Sequence, residues 1–338
     1  MSTSVYLSGA TGFIGSAILE ALLEAKKYSI TALVRSEEKA KALNKIGVKT
    51  VIGSLDDSDI IAEQAYLADL VITSANVDHL GEAKAVVEGL RRKLKETGKK
   101  GLYLQTSGTS ILNDNSNGQY EGKEIYSDLD TEKINAIPVS NPHRHVDTYI
   151  IDNSADYDLA IIAPPCIYGE GIGPDGFSHQ RSQQIPTIIR QALKHGAVKQ
   201  IGKGKHIWSS VHIRDLANMY AIVASHLVAR DLKTLGREGY FFAESGEFQW
   251  GEMCRFIAKH LYKIGAIKKD TPDEVNNDEE FQQAYGTTEA KVGLSQNSRS
   301  RAEKGRALGW KPTHKAEDVF IDAEREATAI AKELGYIQ

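Results

Sequence analysis

The sequence contains little cysteine, no excess of basic charge and no long apolar run. Only two cysteines, Cys166 and Cys254, occur in 338 residues, which excludes a disulfide scaffold and leaves too few thiolates for a structural zinc site. Lys and Arg number 41 against 45 Asp and Glu, a net charge of -4 that disfavours nucleic-acid and anionic-membrane partners. No apolar run approaches the roughly 18 residues of a membrane span, and residues 1–8 show no signal-like start. We therefore expect a cytoplasmic protein from a reducing compartment.

Short β-rich runs alternate with amphipathic helical stretches through the first half of the chain. This alternation predicts parallel strands joined by crossover helices, because parallel neighbours need long connections. The predicted strands are residues 5–8, 30–34, 50–52, 70–73, 102–106 and 158–163. The predicted fold class is α/β, with a doubly wound parallel Rossmann sheet in residues 1–165. Residues 166–338 are predicted to form a smaller α+β substrate lobe that returns to the Rossmann core near residues 205–230.

The second half is less regular. Helical spacing of apolar residues predicts helices at residues 183–195, 213–229, 250–264 and 316–334, and residues 240–243 resemble a strand. The polar run 268–283 predicts a surface helix or loop. The glycine-rich stretch 169–178 predicts a loop that borders the substrate.

A glycine motif, Gly9-x-x-Gly12-x-x-Gly15, directly follows the first predicted strand and opens a helix. The first glycine permits a tight turn, the second lets the backbone approach a pyrophosphate, and the third lets the helix pack closely on the strand. Free N–H groups and the positive helix end attract phosphates. The motif predicts a dinucleotide site, with Gly9, Thr11, Gly12, Phe13 and Ile14 among its contacts.

The end of the second strand distinguishes between the two nicotinamide dinucleotides. NAD-binding proteins place an acidic residue there for the ribose 2′-hydroxyl, whereas this chain has Arg35, followed by Lys39 one helical turn later. A guanidinium fork suits the 2′-phosphate of NADP. We therefore predict NADP as the cofactor; the alternative is a surface arginine near a helix start.

The ends of the third and fourth strands complete the predicted cofactor groove. Leu55 and Asp56 are placed at the adenine, where the Asp56 carboxylate could accept a hydrogen bond from the exocyclic amine. The alternative is that this aspartate caps the next helix. Ser74, Ala75 and Asn76 are predicted to pass under the adenosine ribose and the pyrophosphate.

These motifs together resemble those of the extended or atypical short-chain dehydrogenases/reductases, the epimerase and dihydroflavonol-reductase-like group. The resemblance covers nearly the whole chain and rests on residues 9–15, 53–57, 106–109, 164–169, 208–216 and 309–312. It implies cofactor contacts at Thr106 and backbone contacts to the nicotinamide carboxamide from Pro164 to Ile167. It does not identify a substrate.

The family's catalytic residues do not align with this chain. In the family a Tyr, a Lys four residues later and a Ser near the fifth strand carry the chemistry. Counting back from Pro164 places the lysine near His143 and the tyrosine at Val139, which has no phenol. The serine falls on or near Gly108, flanked by Ser107 and Thr109. The resemblance therefore makes Ser107, Thr109 and His143 the catalytic candidates, with His143 also a cofactor contact.

Several histidines and tyrosines near this point have alternative interpretations. His143 could bind ribose hydroxyls or exchange a proton, or it could be a helix-start residue paired with Asp147. A metal site on His143, His145 and Asp147 is disfavoured, because i,i+2 spacing does not converge on one helix face. Other tyrosines are assigned as follows: Tyr149 as a helix residue packed on the core, and Tyr120 and Tyr126 as loop residues able to fold over the nicotinamide.

Two functions follow from this pattern. The first is an NADP-dependent oxidoreductase, a reductase or dehydrogenase acting on the carbonyl or hydroxyl of a small molecule. The second is a non-catalytic NADP-binding regulator or redox sensor, suggested by the missing Tyr/Lys pair. A nucleotide-sugar epimerase ranks lowest because it needs the same tyrosine and favours NAD. The sequence leaves a homodimer open.

Overall fold

A computed structural model describes residues 2–173, 180–286 and 289–338. The strands, in chain order, are β1 (Thr3–Ser8), β2 (Tyr28–Val34), β3 (Lys49–Ile52), β4 (Leu70–Thr73), β5 (Gly101–Thr106), β6 (Tyr126–Ser127), β7 (Tyr157–Ala163), β8 (Cys166–Tyr168), β9 (Lys199–Ile201), β10 (Ile207–His212), β11 (Tyr240–Phe242), β12 (Gly246–Gln249), β13 (Asp273–Val275) and β14 (Ser300–Arg301).

The helices are α1 (Phe13–Glu24), α2 (Glu37–Lys45), α3 (Ser58–Leu67), α4 (Leu80–Thr97), α5 (Thr131–Asn135), α6 (Arg144–Asp152), α7 (Gln184–His195), α8 (Ile213–Ala229), α9 (Trp250–Lys263), α10 (Asp278–Tyr285), α11 (Glu289–Leu294), α12 (Glu303–Ala307) and α13 (Asp318–Glu333). Among the described residues, no helix has the length and apolar character needed to cross a membrane.

The central sheet has seven strands in the order β11-β7-β5-β4-β1-β2-β3. Every pair in it is parallel. Central strands such as β4 and β5 are buried along their whole length, which explains their continuous apolar character. The strand order reverses between β1 and β4, so a crevice opens beyond their carboxyl ends. The predicted α/β doubly wound fold is confirmed.

The C-terminal half contributes to two separate hydrophobic cores. Helix α8, strand β11 and Trp310 pack into the core around the central sheet. The second core lies among α7, α9 and α13 and includes Trp208 and Trp250. The seventh strand of the central sheet, β11, also comes from this half. All three of its residues are buried and pair with β7.

Two predicted segments differ from the structure. The polar run 268–283 contains β13 and most of α10 rather than one helix or loop. The helix expected from residue 316 begins at Asp318, because the preceding residues hold a capping turn in which Lys315 N donates to Asp318 Oδ2 at 2.8 Å.

Candidate functional site

The glycine turn after β1 forms a close-packed cradle at the crevice. Gly9 has φ +81°, and a Cβ there would lie 2.7 Å from Ala75 N. A Cβ on Gly15 would lie 1.9 Å from Gly9 O, so the helix can approach the strand only with glycine at this position. Gly12 caps α1 with no side-chain hydrogen bond, which leaves the first N–H groups of α1 for an external acceptor. This arrangement fits a dinucleotide pyrophosphate.

The end of β4 closes the back of the cradle. Ser74 Oγ donates to Ser8 O at 2.8 Å and therefore ties β4 to β1 beside the glycine turn. Ala75 and Asn76 are exposed, and Asn76 Oδ1 accepts from Asp78 N at 3.1 Å. Ser74, Ala75 and Asn76, which were predicted at the ribose and pyrophosphate, thus lie at the edge of the crevice.

Arg35 and Lys39 follow β2 on the rim of the same crevice. Arg35 is exposed, and within the described residues no hydrogen bond or ion pair holds its guanidinium. Lys39 Nζ donates to Thr11 Oγ1 at 3.2 Å, so its ammonium lies directly beside the glycine turn. Positive charge therefore stands at the position where NAD-binding sites carry a carboxylate.

Asp56 does not cap the following helix. The N-cap of α3 is Asp57, whose carboxylate accepts from Ser54 N at 2.6 Å. Asp56 instead extends into solvent, with Oδ1 3.2 Å from His79 Nε2. Leu55 packs against the sheet core. The carboxylate of Asp56 thus remains on the groove side of β3.

Three hydroxyls at the end of β5 and just after it are buried and hydrogen-bonded. Ser107 Oγ donates to Asp147 Oδ2 at 2.7 Å. Thr109 Oγ1 accepts from Ser298 Oγ at 2.8 Å. The Thr106 hydroxyl lies 2.7 Å from Tyr220 OH. In these positions, each of the three side chains links the end of β5 to a segment that is distant in the sequence.

Helix α6 begins later than the count from Pro164 implies. Its first residue is Arg144, with His143 as N-cap at φ +65°. The tyrosine-equivalent Val139 lies in the preceding loop and is 55% exposed. Pro142 explains the late start, because a proline pushes the residue before it out of the helical region.

His143 lies against Gly108 at the expected nicotinamide end. Its Nδ1 is 2.9 Å from Asp78 Oδ1, and this hydrogen bond is the main reason that the pKa of Asp78 is lowered. A Cβ on Gly108 would lie 3.1 Å from His143 Nε2. The imidazole thus occupies the space above Gly108, with Asp78 fixing its ring. The alternative pairing with Asp147 is wrong, because that carboxylate binds elsewhere.

A buried polar cluster behind Gly108 was missed by sequence reasoning. Asp147 Oδ2 accepts from both Ser107 Oγ and Tyr240 OH, the latter at 2.8 Å. Arg144 donates to the same phenol at 2.6 Å. Burial raises the pKa of Asp147, an effect that the bonds from Ser107 and Tyr240 oppose. One sequence signal could have indicated the cluster: Arg144 and Asp147 are charged residues on the apolar face of an amphipathic helix.

A cavity of about 520 Å³ is lined in part by Leu112 and Asn141, which are close in sequence to Gly108 and His143. Its walls come from the turn after β5, the loop before β6, helix α5, the loop before α6 and the segment before β14. They include Leu112, Asp114, Tyr120, Tyr126, Lys133, Pro138, Asn141, Asn297 and Arg299. Tyr120 and Tyr126 both line this cavity, and Tyr126 lies in strand β6 rather than in the predicted loop. Sequence alone gave no sign that the distant Asn297 and Arg299 would join them.

The segment after β7 lies at the same edge of the sheet. Thr109 N donates to Pro164 O at 3.0 Å, and Ile167 in β8 pairs with Val211. Ile172 O accepts from Ser16 Oγ at 2.8 Å, so the loop after β8 lies over α1. Residues 174–179, within the loop predicted to border the substrate, lie outside the described residues. No three potential metal ligands converge anywhere in the part of the chain that the structure describes.

Known proteins are similar to this chain over nearly its whole length. The chain is 28% identical over 357 residues to the oxidase ucsJ of an Acremonium species, covering 98% of this chain and 100% of that protein. The NAD complex of dTDP-glucose 4,6-dehydratase from Bacillus anthracis str. Ames superposes with a TM-score of 0.66 at 13% identity, over 99% of both chains. The NADPH complex of yeast methylglyoxal/isovaleraldehyde reductase Gre2 gives 0.61 at 15% identity, over 99% and 100%.

The two structural likenesses show the fold alone, since their identities are low. The family match is more direct. Residues 5–233 match the model of the NAD dependent epimerase/dehydratase family, whose proteins bind a nicotinamide cofactor. This stretch contains the glycine cradle, Arg35, His143 and the segment after β7. The chain belongs to the NAD-dependent epimerase/dehydratase family.

Proposed function

We propose that the protein is an NADP-dependent oxidoreductase acting on the carbonyl or hydroxyl of a small molecule. The observation that carries this proposal is the cradle of Gly9, Gly12 and Gly15 with unpaired positive charge at Arg35 beside it. The Arg35 fork would hold the 2′-phosphate, and Lys39, which bonds to Thr11, would add a second positive charge. When bound, the cofactor supplies or accepts a hydride.

His143 would take the place of the family's lysine at the ribose of the nicotinamide. Asp78 holds its Nδ1 at 2.9 Å, so Nε2 is directed at the space over Gly108. A ring fixed in this way keeps one tautomer and one orientation. Ser107 and Thr109 are poor candidates for donating a proton to the substrate. Ser107 Oγ already donates to Asp147, and Thr109 Oγ1 accepts from Ser298 Oγ.

The experiment is calorimetric titration with NADPH and with NADH, followed by assays of NADPH oxidation against a panel of aldehydes and ketones. We expect NADPH to bind at least about 10-fold more tightly than NADH, the equivalent of about 1.4 kcal/mol. Equal affinities would contradict the NADP assignment. Cofactor binding without turnover of any carbonyl with NADPH or of any alcohol with NADP⁺ would contradict the oxidoreductase assignment.

The second candidate is a non-catalytic NADP-binding regulator, and one observation favours it. Val139 at the tyrosine position is exposed and lies outside the helix, and the neighbouring hydroxyls are buried. Such a regulator would bind a partner protein with different affinity in the presence of NADP⁺ and NADPH. Crosslinking pull-downs in the two redox states test it, and equal recovery of partners would contradict it.

A further inference from the structure

We propose that Tyr126 is the catalytic proton donor of this protein and that the adjoining cavity holds the carbonyl substrate, an inference that rests on the proposed function. Tyr126 lines the cavity of about 520 Å³. Among the described residues, no partner accepts from or donates to its hydroxyl. A half-buried phenol without a hydrogen bond at a cavity wall is free to meet a ligand oxygen.

The cavity adjoins His143 through the two chain segments that hold the imidazole. Leu112 ends the short helix that follows Gly108, and Asn141 precedes His143 by two residues. Both residues are cavity walls. Asn141 Nδ2 donates to Ile111 O at 2.7 Å, so the two segments are fastened to each other at this point. A substrate in the cavity therefore lies beside the predicted nicotinamide end.

Lys133 provides the positive charge that a donor phenol requires. Its Nζ lies 4.6 Å from the centroid of the Tyr126 ring. Glu124 and the carbonyl of Ile125 hold the ammonium in position. Burial raises the pKa of Tyr126 and the charge of Glu124 raises it further, whereas Lys133 opposes the rise because its charge stabilises the phenolate.

Tyr120 is the second phenol in the wall of the same cavity. Its hydroxyl already donates to Asp114 O at 3.1 Å, and its side chain is 48% exposed. Nothing comparable to Lys133 lies over its ring among the described contacts. The two phenols therefore differ in the features that proton donation depends on.

The proposed step balances for a carbonyl substrate. Bound NADPH would supply a hydride to the carbonyl carbon and become NADP⁺, while the C=O π electrons move to the oxygen, which would take the proton of the Tyr126 hydroxyl. The products would be the alcohol, NADP⁺ and a tyrosinate, which takes up a proton from solvent. The volume of about 520 Å³ admits a compound of moderate size.

The test compares Tyr126→Phe with Tyr262→Phe, which alters an exposed phenol on α9 outside the cavity, using isovaleraldehyde and benzaldehyde as probes. We expect Tyr126→Phe to lower the turnover number at least about 100-fold, while the dissociation constant for NADPH changes less than about twofold and Tyr262→Phe keeps turnover within about threefold. The unfolding free energy should stay the same in Tyr126→Phe, because the lost hydroxyl has no partner.

A readout independent of activity is the ionisation of the phenol itself. Ultraviolet difference titration against Tyr126→Phe isolates the Tyr126 signal, and Lys133→Met should move its pKa upward. Turnover retained in Tyr126→Phe, or a Tyr126 pKa unmoved by Lys133→Met, would overturn the assignment. If NADPH fails to bind the wild-type protein, the proposed function fails; if NADPH binds and Tyr126→Phe remains active, only this inference fails.

Discussion

The imidazole of His143 lies directly over Gly108, with Nε2 3.1 Å from where a Cβ on that glycine would stand. A side chain at residue 108 and the imidazole compete for this space. We therefore expect Gly108→Ser to displace His143 and weaken NADPH binding about 10-fold. In a His143→Ala background, Gly108→Ser should weaken NADPH binding much less. The difference is a coupling free energy of about 1 kcal/mol, which calorimetry on the double-mutant cycle would measure. Additive effects would contradict the contact.

Arg35 determines cofactor choice if its guanidinium binds the 2′-phosphate. Arg35→Ala should weaken NADPH binding by about 10- to 100-fold and leave NADH binding within about twofold, because charge-assisted bonds to phosphate contribute about 1.5–3 kcal/mol. Lys41→Ala is the matched control, since Lys41 lies on α2 and pairs only loosely with Glu37 at 3.9 Å. Parallel losses for both cofactors in Arg35→Ala would contradict the role.

The sequence separation between contacting residues explains which features could be predicted from the sequence. Strands β1 to β5, strand β7 and the glycine turn follow local periodicity, so their positions are evident from adjacent residues, whereas the two-residue β6 was predicted as loop. The partners of Asp147 are not, because Tyr240 lies 93 residues away on a strand that joins the sheet only after α8. Likewise, Arg299 reaches the cavity from the segment before β14. To predict the late start of α6, the effect of Pro142 on the residue before it has to be weighed against the helical spacing of apolar residues.

Tyr240 holds two charged side chains in the core behind the crevice. Tyr240→Phe removes the phenol that donates to Asp147 and accepts from Arg144, so we expect a loss of about 2 kcal/mol in the free energy of unfolding. Tyr28→Phe is a suitable control, because the Tyr28 hydroxyl is buried without a partner and its removal should cost nothing. Urea unfolding of the two variants decides the point, and similar midpoints would contradict the proposed bonds.

Gly15 is a position where any side chain must move the backbone. A Cβ there would lie 1.9 Å from Gly9 O, so Gly15→Ala should abolish NADPH binding and cost roughly 2 kcal/mol of stability or more. Gly293→Ala is the control, because its Cβ would come no closer than 3.4 Å, to the Gln184 side chain. Differential scanning calorimetry with and without NADPH separates the two effects: the ligand should raise the melting temperature of Gly293→Ala only.

Glu82, in the first turn of α4, makes stability depend on pH. Burial raises the pKa of its carboxyl from 4.5 to about 7, an effect that Ser8 and His79 partly offset. The folded protein therefore holds a proton that the unfolded chain releases between these values, and stability falls as pH rises from about 4.5 to 7. The loss from this group is about 3 kcal/mol.

Glu82→Gln should remove this component, so its unfolding free energy should fall less steeply with pH than that of the wild type. Buried Asp128 and Glu326 also have raised pKa values and remain in the variant, so the difference between the two curves is the quantity to measure. Glu24→Gln makes the same charge change at an exposed position and should leave the slope as it is. Because burial rather than a partner raises the Glu82 pKa, the effect should persist at high salt; a slope difference that salt abolishes would point to surface charge instead.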